Sequence, residues 1–85
     1  MYYVYILQSK VDKNWLYVGY SDDLKSRFQR YNQGKVKSTK SKRPLVLVYY
    51  EAYRHKTDAA KREYEIKHNS QQKEILKKRI DNSLL

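Results

Sequence analysis

Apolar and polar positions fall in blocks along the chain, and the blocks predict six elements. From Tyr2 to Leu7 nearly every residue is apolar or aromatic, as in a strand buried on both faces at the centre of a small sheet. A polar link from Gln8 to Asn14 separates this run from a second, Trp15 to Tyr20, so the two read as a β-hairpin. The period then changes. Leu24, Phe28 and Tyr31 recur at spacings of four and three, the apolar stripe of a helix lying on the sheet. Ser21 is the expected cap of that helix, with Asp22 and Asp23 complementing its dipole, and Gly34 the expected stop. Pro44 precedes Leu45 to Tyr50, the most strand-like run and the third strand. Thr57 and Asp58 open a second helix that ends around Asn69 and carries Ala59, Glu63 and Ile66 on one face. Ser70 is the expected cap of a last helix containing Ile75, Leu76 and Ile80, with fraying expected from Asn82 to Leu85. The order β-β-α-β-α-α describes an α/β (α+β) chain. A single domain over 1–85 is expected, because a divided chain of 85 residues would leave pieces too small to bury a core.

Composition narrows the partners. With no cysteine, disulfides and cysteine-based zinc sites are excluded. No apolar run approaches membrane-spanning length and the N-terminus lacks the features of a secretory signal, so the expected location is the cytoplasm and no membrane partner is expected. Nineteen Lys and Arg against nine Asp and Glu give a net charge of +10. A small domain this basic suits a polyanion, because each phosphate neutralised releases condensed counterions. Residues 35–43 read KVKSTKSKR, where Lys35, Lys37, Lys40, Lys42 and Arg43 meet no negative charge. This segment is expected to be a mobile loop that tracks a phosphate backbone, since its composition offers little apolar area to order it.

Three positions carry a choice between structure and chemistry. Gly19 marks either a bulge or a close approach by another backbone or a ligand. Arg27 lies beside the apolar stripe, three after Leu24 and four before Tyr31, where it either snorkels past the core edge or reaches the tyrosines of the hairpin. Glu63 stands between Ala59 and Ile66, where a carboxylate is costly without a cation. Lys67, four residues on, is its ordinary partner.

The succession of Tyr3-Val4-Tyr5, Tyr17-Val18-Gly19, LKSRFQRYNQG from Leu24 to Gly34 and AAKREYEIK from Ala59 to Lys67 resembles the GIY-YIG nuclease superfamily, and within it small stand-alone bacterial proteins. The likeness covers nearly the whole chain. It implies a three-stranded, mainly antiparallel sheet flanked by helices, and phosphodiester cleavage with one divalent cation, magnesium or manganese, bound weakly without substrate. By position, the resemblance implies that Glu63 holds the metal, Arg27 stabilises phosphate charge, and Tyr17 activates water with Tyr5 beside it. Tyr3 and Gly19 are then motif residues of structural use. Tyr3 stands where the family name has glycine. Tyr31 stands where many members carry histidine and others tyrosine, which leaves it either a second acid or base or a packing residue. The implied partner is nucleic acid, DNA before RNA, with a protein partner for targeting a further option. A non-catalytic nucleic-acid-binding module with the same fold is the alternative.

Overall fold

The computed structural model describes residues 1–85. Strands β1 (Tyr2–Ser9) and β2 (Leu16–Ser21) form the hairpin, and β3 (Leu45–Tyr53) pairs with the other edge of β1, giving the order β2-β1-β3 with both pairings antiparallel. Helices α1 (Leu24–Asn32), α2 (Lys56–His68) and α3 (Ser70–Arg79) cover the sheet. No helix is long and apolar enough to cross a membrane.

The alternation of β1 decides which helix lies where. Val4 and Ile6 point to one face and join Ala59 and Ile66 of α2 with Leu76 and Ile80 of α3. Tyr5 and Leu7 point to the other, with Tyr31, Phe28 and Leu24 of α1. The central strand is therefore buried on both faces, which its continuous apolar run requires. One irregularity matters later: the register steps from Ile6↔Tyr49 to Leu7↔Leu47, so Val48 is an extra residue and forms a bulge in β3.

Several local expectations are corrected. The cap of α1 is Asp23, whose carboxylate accepts from the Ser26 amide at 3.0 Å, while Ser21 closes β2 and accepts from the Asp23 amide. Asn69, not Ser70, caps α3 by accepting from the Gln72 amide. Helix α2 starts at Lys56 with no side-chain cap. Ile75 is exposed, because α3 packs through Leu76 and Ile80, four apart, and the neighbouring position points away. The chain does not fray after Asn82: Asp81–Ser83 form a short 3-10 turn, Leu84 packs on the α2 and α3 core, and the Leu85 amide donates to the Gln8 side chain at 2.9 Å.

The largest correction concerns residues 35–43. The segment folds into a 3-10 turn at Lys40–Lys42, Thr39 is fully buried, and Val36 packs against the α1 cluster. Its order comes from the hairpin link. The Ser9 hydroxyl donates to the Lys42 carbonyl at 2.7 Å and accepts from the Val11 and Asp12 amides, and Lys42 pairs with Asp12 at 2.9 Å.

Candidate active site

The sequence places tyrosine at alternate positions of two paired strands, and the register makes them meet. Leu7 faces Tyr17 and Tyr5 faces Gly19, so the side chains of Tyr5 and Tyr17 lie on the α1 side of the sheet. Gly19 is explained by the first of these tyrosines. A Cβ at Gly19 would stand 2.6 Å from the Tyr5 hydroxyl oxygen and 2.7 Å from its ring carbon, so the phenol lies directly across the bare backbone. The approach is thus neither a bulge nor the backbone or ligand expected there, but the ring of Tyr5.

Helix α1 delivers Tyr31 and Arg27 to the same place. Gly34, at a φ of +76°, lets the chain leave the helix, its amide donating to the Tyr31 carbonyl. The Asn32 amide group clamps the helix end to β3, donating to the Leu45 carbonyl at 3.0 Å and accepting from the Leu45 amide at 2.8 Å. Tyr31 is buried and its hydroxyl shares a hydrogen bond of 2.7 Å with that of Tyr5. Its ring meets Tyr5 and Tyr17 edge to face, at centroid distances of 6.1 and 5.6 Å. The Arg27 guanidinium lies 5.2 Å from the Tyr31 ring centroid. Arg27 reaches the tyrosines rather than snorkelling away from them.

Tyr17 is the half-buried member of the trio and the one open to solvent. Trp15 stacks on it at 5.9 Å and 16°, and the Lys67 ammonium of α2 lies 5.6 Å from its ring centroid. Lys67 also pairs with Glu63 at 3.8 Å. Thus Lys67 stands between the tyrosines and the glutamate. From the sequence Lys67 reads only as an ion-pair partner of Glu63, and Trp15 does not stand out. The signal for Trp15 is present all the same, since it lies two before Tyr17 at the start of the second strand-like run, just ahead of β2.

Burial dominates the electrostatics of the phenols. It pushes Tyr5, Tyr17 and Tyr31 above their ordinary range. Arg27 pulls Tyr5 and Tyr17 back, and Lys67 acts with it on Tyr17. Hydrogen bonding to Tyr31 raises Arg27 further, so it stays charged. At neutral pH the cluster is three neutral phenols beside one fixed cation.

Glu63 keeps only about a fifth of its side-chain surface. No group of three or more His, Cys, Asp or Glu comes together anywhere in the chain. A metal cage made of protein alone is therefore absent, whereas a single hard oxygen ligand is present. That set fits magnesium or manganese completed by waters and a substrate phosphate.

The remaining predicted residues lie apart from this cluster. Tyr3 is on the same sheet face but packs against Tyr50. Lys35, Lys37 and Lys40 are exposed, whereas Lys42 is held by Asp12 and Arg43 folds over Gly34 and donates to the Lys40 carbonyl at 3.0 Å.

Comparison with known proteins identifies the family of the chain. The GIY-YIG catalytic domain matches residues 1–79. A UPF0213 protein of Staphylococcus haemolyticus is 45% identical over 75 residues, which cover 87% of this chain and 89% of that protein. UPF0213 proteins of Staphylococcus aureus are 44% identical over the same span. The solution NMR structure of the UPF0213 protein BH0048 from Bacillus halodurans is similar with a TM-score of 0.53 and 34% identity, covering 89% of this chain and 83% of that one. With a domain match over nearly its whole length and relatives at this identity, the chain belongs to the GIY-YIG catalytic domain family.

Proposed function

We propose that this protein is a metal-dependent endonuclease that hydrolyses phosphodiester bonds of nucleic acid, DNA before RNA, in the cytoplasm. The observation that carries this reading is the convergence of Tyr5, Tyr17, Tyr31 and Arg27 from three elements, with Lys67 of a fourth over Tyr17 and paired to Glu63. Packing alone does not call for an arginine on the buried tyrosine face.

Glu63 is the residue that would hold magnesium or manganese, and a single carboxylate holds it weakly until a phosphate adds its oxygens. Such an ion supplies charge stabilisation of the phosphoryl oxygens and lowers the pKa of bound water. Arg27 donates to phosphoryl oxygens as charge builds there, a task that suits a planar guanidinium better than an ammonium. Tyr17, the accessible phenol, orients the attacking water, and it takes the water's proton only as the phenolate, after its own proton has passed to solvent. Burial keeps Tyr17 in its protonated form, and Lys67 and Arg27 lessen that penalty without cancelling it. Tyr31 spends its hydroxyl on Tyr5, so both position the site rather than touch substrate.

One feature favours the second reading, a binding module without cleavage: Glu63 already has a cation in Lys67. The two readings part on one experiment. The protein is incubated with labelled DNA and RNA structures in magnesium, in manganese and in chelator. Cleavage is expected with metal and none with chelator. Glu63→Gln should abolish cleavage while nucleic-acid affinity is kept or improved. If wild type binds the panel and cuts nothing with either metal, the binding module stands and the nuclease falls.

A further inference from the structure

On the sheet face that carries the tyrosine site, towards the end of β1 marked by Tyr3, there is a cleft of about 510 Å³. Tyr3, Leu24, Phe28, Leu47 and Tyr50 wall it, and Lys25 borders it. The bulge at Val48 makes it possible. Leu47 and Tyr50 are three apart, which in a regular strand puts them on opposite faces, yet Leu7↔Leu47 and Tyr5↔Tyr50 show both on the α1 side. Tyr50 is 54% exposed although it lies mid-strand, and its ring meets Tyr3 edge to face at 5.9 Å.

Charge and position decide the occupant. The chain carries +10 and draws a polyanion, but Asp22 and Asp23 also line this cleft and repel phosphate. The walls offer aromatic faces, and a carboxylate accepts from an exocyclic amine such as that of cytosine. The cleft shares no lining residue with the tyrosine site but neighbours it in the chain, and Asp22 borders both this cleft and the one lined by Arg27. Tyr3 lies two residues from Tyr5 on one strand, about 7 Å along it, and Phe28 follows Arg27 on α1. A strand whose phosphate sits at Arg27 and which passes Asp22 would bring a neighbouring nucleotide here.

We propose that the cleft between α1 and β3 takes an unpaired nucleobase adjoining the phosphate held at Arg27, so that the substrate carries unstacked nucleotides beside the cut. A base within a duplex has both faces covered by its neighbours and cannot enter. The placement of the phosphate rests on the nuclease reading of the tyrosine site; the stacking itself does not.

The test measures affinity in chelator, so cleavage plays no part. Fluorescence anisotropy compares a labelled single strand, a duplex of the same length, and a single strand whose nucleotides are abasic. Tyr50→Ala should weaken the normal single strand roughly tenfold, Tyr50→Phe should restore it, and neither should alter the duplex or the abasic strand. Because Tyr50 is exposed, a thermal melt should show both variants folded. Unchanged single-strand affinity in Tyr50→Ala overturns the proposal, as a cleft that serves a peptide would require, and so does an equal loss on the abasic strand or the duplex. The two readings fail separately. Absent cleavage with stacking intact removes the nuclease and keeps the base cleft, whereas cleavage without a Tyr50 effect removes only the cleft.

Discussion

Removing the Tyr17 hydroxyl while keeping its ring separates chemistry from packing, because the ring alone meets Trp15 and Tyr31. Tyr17→Phe should cost only about 1 kcal/mol of stability but roughly 10²-fold or more in cleavage rate, measured with affinity little changed. Arg27→Ala should lower cleavage in the same way. On the proposed reading both groups act on one transition state, so the double variant should lose far less than the product of the two. Much of this site was legible from residue types and order. An arginine beside an apolar stripe and a glutamate between Ala59 and Ile66 each stand out locally, whereas tyrosines at alternate strand positions are ordinary sheet residues that only the order of the motifs singles out. What the chain did not announce was partnership. Nothing local to Tyr31 says that its hydroxyl meets Tyr5, and nothing local to Gly19 says that the same phenol lies over it.

At the scale of elements, the basic segment 35–43 divides into free and engaged cations. Lys35, Lys37 and Lys40 stand in solvent, while Lys42 and Arg43 hold the loop in its fold. Neutralising each of the first three should weaken nucleic-acid binding across sequences and reduce the log-log salt slope by roughly 0.7 to 0.9 per lost contact. An unchanged slope would take the loop out of the interface. Lys42→Ala should instead lower the melting temperature by loosening the link to Asp12. The order of this loop was hidden because its partners, Ser9 and Asp12, lie some thirty residues earlier; composition judges a segment by its own apolar area alone. The caps were misjudged for a different reason. Ser21, Asp23, Asn69 and Ser70 are all capping types, and the choice among them depends on where the chain turns out of the strand or the preceding helix.

For the molecule as a whole, Glu51 ties α2 to β3 and sets the pH range of the fold. Its carboxylate accepts from Arg62 at 3.0 Å, from Tyr49 at 2.6 Å and from Tyr53. Burial pushes this carboxyl up, but Arg62 and the two phenols outweigh it and hold it below its ordinary value. Burial, and then the Glu51 charge, push Tyr49 and Tyr53 from 10.0 up to about 12. The folded state therefore binds a proton at Glu51 less readily than the unfolded chain, so this contribution to stability is lost as pH falls through the lowered value. It holds the tyrosine protons more tightly, so that contribution is lost as pH rises from 10 through about 12. Melts across pH should show both limbs, and Glu51→Gln should remove the acid limb and shrink the alkaline one. The central position of β1 has a consequence in time rather than in energy. Its amides are bonded to β2 and β3 alike, so hydrogen exchange there should need global unfolding, whereas β2 is an edge strand and should exchange through local openings. Tyr5 and Tyr17 thus ride on strands with different clocks: one phenol is held by the slowest part of the chain, while the other sits on a strand that opens locally.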